Sequence, residues 1–130
     1  MNKFEFTYII DDDAIFVMVF KKILSNIDCF DKVGNAKNGY EALESLKVLD
    51  ANNEKFPDII FLDLYMPVLD GWQFLEALES LPFKDKMNIH VISSTINRSE
   101  IERSKTFQVV KSFIQKPTSA KQLIQSLGVL

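Results

Sequence analysis

Ile59-Ile60-Phe61-Leu62-Asp63-Leu64-Tyr65-Met66-Pro67-Val68-Leu69-Asp70-Gly71 is the stretch on which the reading of the fold turns. The apolar run Ile59 to Leu62 is too short for a helix and reads as a buried strand. It ends on one carboxylate, Asp63. Met66-Pro67 then breaks regular structure, because proline fixes φ and restricts the residue before it. Asp70-Gly71 closes the turn and opens the next helix. A strand that hands one aspartate to a loop presents either a nucleophile or a metal ligand. In open α/β sheets, ligands bind just beyond the strands' carboxyl ends.

Working outward, the same strand-then-helix pattern recurs. Phe4 to Ile10 reads as a first strand, followed at once by Asp11-Asp12-Asp13. Ala14 to about Asn26 reads as a helix with Val17, Phe20, Leu24 and Ile27 at helical spacing, and Phe16, Val19 and Ile23 are expected to widen its buried face. Lys32 to Ala36 is a weak second strand. Asn38-Gly39 marks a turn, and Tyr40 to Leu49 a helix with Ala42, Leu43, Leu46 and Leu49 facing inward. Beyond the central strand, a helix from about Gly71 to Ser80 carries Trp72, Leu75 and Leu78. Ile89 to Ile92 is a fourth strand, finishing in Ser93-Ser94-Thr95, and Asn97 caps a helix from Arg98 to about Thr106. Ser112 to Gln115 is a fifth strand, ended by Lys116-Pro117. Ser119 caps a last helix that buries Leu123, Ile124 and Leu127 and stops at Gly128.

Five strands alternating with five helices imply a parallel sheet covered on both faces. Right-handed crossovers leave few arrangements. The expectation is a flavodoxin-like doubly wound (βα)5 fold with strand order 2-1-3-4-5. At 130 residues the chain reads as one domain spanning 1–130, with no room for an appended output domain. A net charge of −3 without a basic stripe argues against nucleic-acid or membrane-surface binding. A single cysteine, Cys29, excludes an internal disulfide and suits a reducing compartment. With no signal-like segment and no apolar run near membrane length, the expected location is cytoplasmic.

In a parallel sheet all strand ends share one edge. That edge would carry Asp11 and Asp12 from the first strand, Asp63 from the third, Ser93 from the fourth and Lys116 from the fifth. Three neighbouring carboxylates repel, and a bound divalent cation relieves them. Oxygen-only donors select a hard ion, and Mg²⁺ suits best. Lys116 and Ser93 are donors for the oxygens of a phosphoryl group. With them and the cation, Asp63 can act as a nucleophile forming an aspartyl phosphate. Each residue also has a plainer role: Asp13 as the partner of a helix N-terminus, Lys116 as a solvated lysine, Ser93 as a strand-end hydroxyl. The combination, each member at a strand end, favours the site.

Ile9-Ile10-Asp11-Asp12-Asp13, Leu62-Asp63-Leu64-Tyr65-Met66-Pro67-Val68-Leu69-Asp70-Gly71, Val91-Ile92-Ser93-Ser94 and Phe113-Ile114-Gln115-Lys116-Pro117 together resemble the receiver domain of two-component response regulators. The resemblance runs from about Phe4 to Leu127 and is closest to the single-domain, chemotaxis-type regulators. It implies that Asp63 is the phosphoacceptor and that Asp11, Asp12, Asp63 and the backbone carbonyl of Tyr65 hold Mg²⁺. It implies that Ser93 and Lys116 bind the phosphoryl group, that Ser93 and Phe113 switch, and that Lys116–Pro117 is cis. It places the positions that tune phosphoryl lifetime at Tyr65 and Thr95. The implied partner is a sensor histidine kinase or a histidine phosphotransfer protein. The implied output is protein binding through the fourth helix, fifth strand and fifth helix, here Arg98 to Lys105, Phe113 and Lys121 to Gln125. The sole histidine, His90, falls within a strand and reads as structural.

A signalling switch of this kind is not a metabolic enzyme, although it assists its own phosphorylation and dephosphorylation. Three alternatives compete. A degenerate receiver would only bind proteins, but every expected site residue is present. A haloacid-dehalogenase-like phosphatase would use Asp11 in its Asp11-x-Asp13 motif, yet the chain has no room for a cap. An FMN-binding flavodoxin relative would place phosphate against a first loop of three aspartates, which would repel it.

Overall fold

The computed structural model describes residues 4–94 and 97–128. Five strands form one parallel sheet: β1 (Phe4–Ile10), β2 (Phe30–Ala36), β3 (Ile59–Leu62), β4 (Ile89–Ser93) and β5 (Val110–Gln115). Their order is β2-β1-β3-β4-β5, the expected doubly wound arrangement. The helices are α1 (Ala14–Ser25), α2 (Gly39–Ala51), α3 (Gly71–Glu79), α4 (Arg98–Ser104) and α5 (Ala120–Leu127).

β3 is central, and all four of its residues are buried. A strand covered on both faces has no polar side to present, which is why it reads as an unbroken apolar run. Two apolar clusters result. One, carrying Tyr8, Ile10, Ile60, Leu62 and Val91, packs under α2 and α3. The other, built on Ile9, Phe20, Phe61 and Ile114, packs under α1 and α5.

Helix starts follow their caps. Asp13 accepts backbone hydrogen bonds from Ile15 and Phe16 at the head of α1. Asp70 and Gln73 form a reciprocal capping box on α3. Gly128 closes α5 in the left-handed region at φ 68°.

The sequence reading needs adjusting in four places. β2 and β5 begin two residues earlier than periodicity suggests, at Phe30 and Val110. A short 3-10 helix, Lys84–Lys86, was not anticipated. Leu49, Ile124 and Leu127 are only partly buried. Val19 does not widen the buried face of α1, being 50% exposed. Val17, Phe20 and Leu24 define the buried stripe, and at about 100° per residue Val19 lies well round the helix from its centre.

Candidate functional site

The carboxyl edge of the sheet gathers one end of each central strand. Asp11 directly follows β1, and its backbone N–H donates to the Ala36 carbonyl at 3.0 Å. One oxygen, Oδ1, accepts from the Asp13 backbone N–H at 2.9 Å. That bond turns the chain so that Asp13 can cap α1 and leaves Asp12 exposed beside the crevice. Asp63 follows β3, fastened by its N–H donating to the Ile10 carbonyl at 2.9 Å. Carboxylate oxygens of Asp11, Asp12 and Asp63 lie within 4.8 Å of one another.

Lys116 reaches this group from the end of β5. Its Nζ donates to Asp11 Oδ2 at 2.7 Å and lies 3.9 Å from Asp63 Oδ1. Its ammonium also sits 4.1 Å above the Phe16 ring, a cation–π contact that orients the side chain. The Lys116 backbone N–H donates to the Ser93 carbonyl at 2.7 Å, which ties the ends of β4 and β5 together. Ser93 is fully buried, and the Lys116–Pro117 bond is cis.

The electrostatics follow from crowding. Asp63 is 6% exposed, and burial is the main force raising its carboxyl to about 7, with the Asp11 charge adding to it and Lys116 opposing. One ammonium does not balance three carboxylates. A hard divalent cation with oxygen ligands fits this donor set, and no thiol or imidazole competes for it among the three.

The loop after Asp63 is tightly held. A Cβ on Gly71 would fall on the Asp63 carbonyl and 2.7 Å from Leu64 Cα, so no larger residue fits there without moving the aspartate. Val68 is β-branched yet adopts φ 72°, a strained left-handed conformation within the same loop. Tyr65 is exposed, and Phe113 is half-buried on β5 beside Ser104 and Lys105 of the α4 end. Thr95 lies outside the described residues.

Sequence reading brought Asp11, Asp12, Asp63, Ser93 and Lys116 to this edge, and the structure gathers them there. It missed two contributors. Helical spacing assigns Phe16 to the core, and nothing in its position announces that its ring carries a lysine 100 positions on. Gly71 was read as a turn residue, although its close approach to Asp63 is the stricter constraint. A further feature is the apolar rim. Of the seven large hydrophobic residues exposed among the described residues, five (Ile15, Met18, Val19, Tyr65 and Val68) lie on α1 or on the loop after β3.

The sequence pattern of the response regulator receiver domain matches residues 7–128. The chain belongs to this family. It is 31% identical over 119 residues to the chemotaxis protein CheY of Listeria monocytogenes, an alignment covering 92% of each chain. It is 28% identical to a protein-glutamate methylesterase/protein-glutamine glutaminase of Methanococcoides burtonii, over 90% of this chain. The receiver spans only 31% of that relative's length. Among solved structures, a two-component response regulator from Cytophaga hutchinsonii superposes with a TM-score of 0.88 at 23% identity, covering 98% of this chain and 96% of that one. A phosphorylated cyanobacterial phytochrome response regulator superposes at 0.78 with 26% identity, covering 97% and 91%. The chain is thus a two-component signalling receiver with an acidic pocket at its carboxyl edge. Among the described residues, no helix is long and apolar enough to cross a membrane.

Proposed function

We propose that Asp63 accepts a phosphoryl group from a phosphohistidine on a sensor kinase or phosphotransfer protein, and that Asp11, Asp12 and the Tyr65 carbonyl hold Mg²⁺ beside it. The observation that carries this reading is the crowding of three carboxylates around one lysine, with Asp63 raised to about 7. When bound, the cation neutralises the carboxylates and draws charge from the transferring phosphoryl oxygens.

The residues divide the work. A carboxylate oxygen of Asp63 attacks phosphorus, the P–N bond breaks, and the departing imidazole takes up a proton. Lys116, already 3.9 Å from Asp63 Oδ1, supplies a donor to a phosphoryl oxygen. Ser93 supplies a hydroxyl from the end of the adjacent strand, β4. Because Lys116 is bonded to Asp11, engaging the phosphoryl group exchanges one anionic partner for another. Ser93 and Phe113 would carry that change to the α4–β5–α5 face, where Arg98 to Lys105 and Lys121 to Gln125 would meet a downstream protein.

The apolar rim supports a protein donor, since exposed Ile15, Met18 and Val68 gain by being covered when a partner docks. Tyr65 shields the attacking path of water and lengthens phosphoryl life; Thr95 occupies the second position that sets it.

The phosphatase reading places the nucleophile at Asp11. Both Asp11 oxygens are already engaged, one by the Asp13 N–H and one by Lys116, which blunts a nucleophile. Intact-mass measurement after incubation with Mg²⁺ and a small acyl phosphate distinguishes the two. A single phosphoryl adduct that needs Mg²⁺ and is lost in Asp63→Asn supports the switch. An adduct that survives Asp63→Asn moves the nucleophile to the first loop and favours the phosphatase reading. No adduct on the folded wild type makes the chain a binding-only receiver.

A further inference from the structure

A second concavity lies away from the acidic edge, alongside α2. It encloses about 500 Å³, within the range of small-molecule sites. Its walls are apolar: Phe6 and Tyr8 of β1, Leu46, Val48 and Leu49 of α2, and Pro57 before β3.

The inner wall of the hollow is β1, which lies against β2. In parallel register, Lys32, Gly34 and Ala36 pair with Phe6, Tyr8 and Ile10 and share their face of the sheet. A covered parallel strand ordinarily fills that face with branched aliphatics. Here the middle position has no side chain, and a Cβ on Gly34 would lie only 3.2 Å from the Tyr8 ring. The Tyr8 ring takes the space that a side chain there would fill, and that ring is the inner wall of the hollow.

The lining has a definite charge. Glu41, Glu44 and Glu54 contribute carboxylates, and among the described residues no basic side chain lines the hollow. Glu44 has no ion-pair partner among the described residues. Within the hollow, the Tyr8 hydroxyl donates to Ser45 Oγ at 3.2 Å. The Phe6 and Tyr8 rings meet edge to face at 6.1 Å, and the Lys32 ammonium already rests 4.6 Å over Phe6. Aromatic faces, an apolar floor and unbalanced carboxylates are what an organic ammonium group with an apolar body requires.

We propose that this hollow is a binding site for an amphiphilic organic cation, an aryl- or alkylammonium, separate from the acidic pocket. The ammonium pairs with Glu41 and Glu44 while the apolar body lies on Tyr8, Val48 and Leu49.

The test is an amide-resolved NMR titration of the ¹⁵N-labelled protein with phenethylammonium, with phenylpropionate as the charge-reversed control. Saturable shifts are expected at Tyr8, Ser45 and Leu49, with a Kd on the order of 1 mM for so small a ligand. Ser45→Leu, which fills the hollow from a half-buried helix position, should abolish them. The double variant Glu41→Gln/Glu44→Gln should weaken binding about threefold to tenfold. Three results would each overturn the proposal: equal binding of phenylpropionate, shifts that persist in Ser45→Leu, or no saturation by about 10 mM. Loss of Asp63 phosphorylation would not bear on it, since no site residue is shared.

Discussion

Asp63, just past the end of β3, and His90, within neighbouring β4, are 6% and 7% exposed and respond to burial in opposite senses. His90 lies inside the sheet, hydrogen-bonded through Nδ1 to Ser112 Oγ at 2.6 Å. Burial, with the Lys111 charge beside it, lowers it to about 4. It is neutral at pH 7, and its neutrality is what lets it belong to the core. Asp63 is raised to about 7, so near neutrality the same burial leaves it between two protonation states beside two other carboxylates. The interior has been relieved of charge, whereas the edge has had charge concentrated in it. A carboxyl held so unfavourably gains most from a cation or a new covalent partner, which is where the chemistry should be.

The comparison is sharpest where the edge meets the backbone. Gly71→Ala puts a methyl group onto the Asp63 carbonyl. It should cost about 4 kcal/mol, read as a large drop in denaturant midpoint; a midpoint near that of the wild type would contradict a loop pinned at this glycine.

The interior can be broken with acid. An ordinary histidine titrates near 6.5, so as pH falls from 6.5 towards 4 the unfolded chain takes a proton that folded His90 refuses. This contribution is complete above pH 6.5 and is lost on the way down, about 3 kcal/mol in all. His90→Phe should flatten that part of the pH–stability curve, and an unaltered slope would remove the assignment.

At the edge the sign reverses. For Asp63 the unfolded group ionises near 3.8 and the folded one near 7, so its stability is lost as pH rises through that window. With chelator present at pH 7.5, Asp63→Asn should raise stability by about 2 kcal/mol. Mg²⁺ should stabilise the wild type by about 1.4 kcal/mol at ten times its dissociation constant, and the variant less. Equal responses would place the cation elsewhere. The smallest effect concerns Tyr65. Tyr65→Ala should shorten the phosphoryl half-life about threefold, under 1 kcal/mol in barrier, and an unchanged half-life would remove the shielding role.

How much could be read in advance follows the same division. β3 was legible to the residue, because a strand buried on both faces can be nothing but apolar from Ile59 to Leu62. The edge residues were legible too, since each follows an apolar run and parallel topology must bring the ends together. Features set by distant packing were not. β2 begins at Phe30 with an acidic Asp31 behind it, a pattern an edge strand tolerates and periodicity does not reveal. Val19 looked like core by composition, but its angle on α1 turns it outward to the rim. The Lys116–Phe16 contact joins residues at opposite ends of the chain, and no local spacing encodes it.

The most direct test of the account is to locate the phosphoryl group itself. The protein is incubated with Mg²⁺ and a small acyl phosphate, and borohydride then reduces any acyl phosphate to the alcohol. Peptide sequencing by mass spectrometry reads the position. The account predicts homoserine at position 63 alone, absent when Mg²⁺ is chelated. Homoserine at position 11 or 12, or at none of the three on a folded protein, would contradict it.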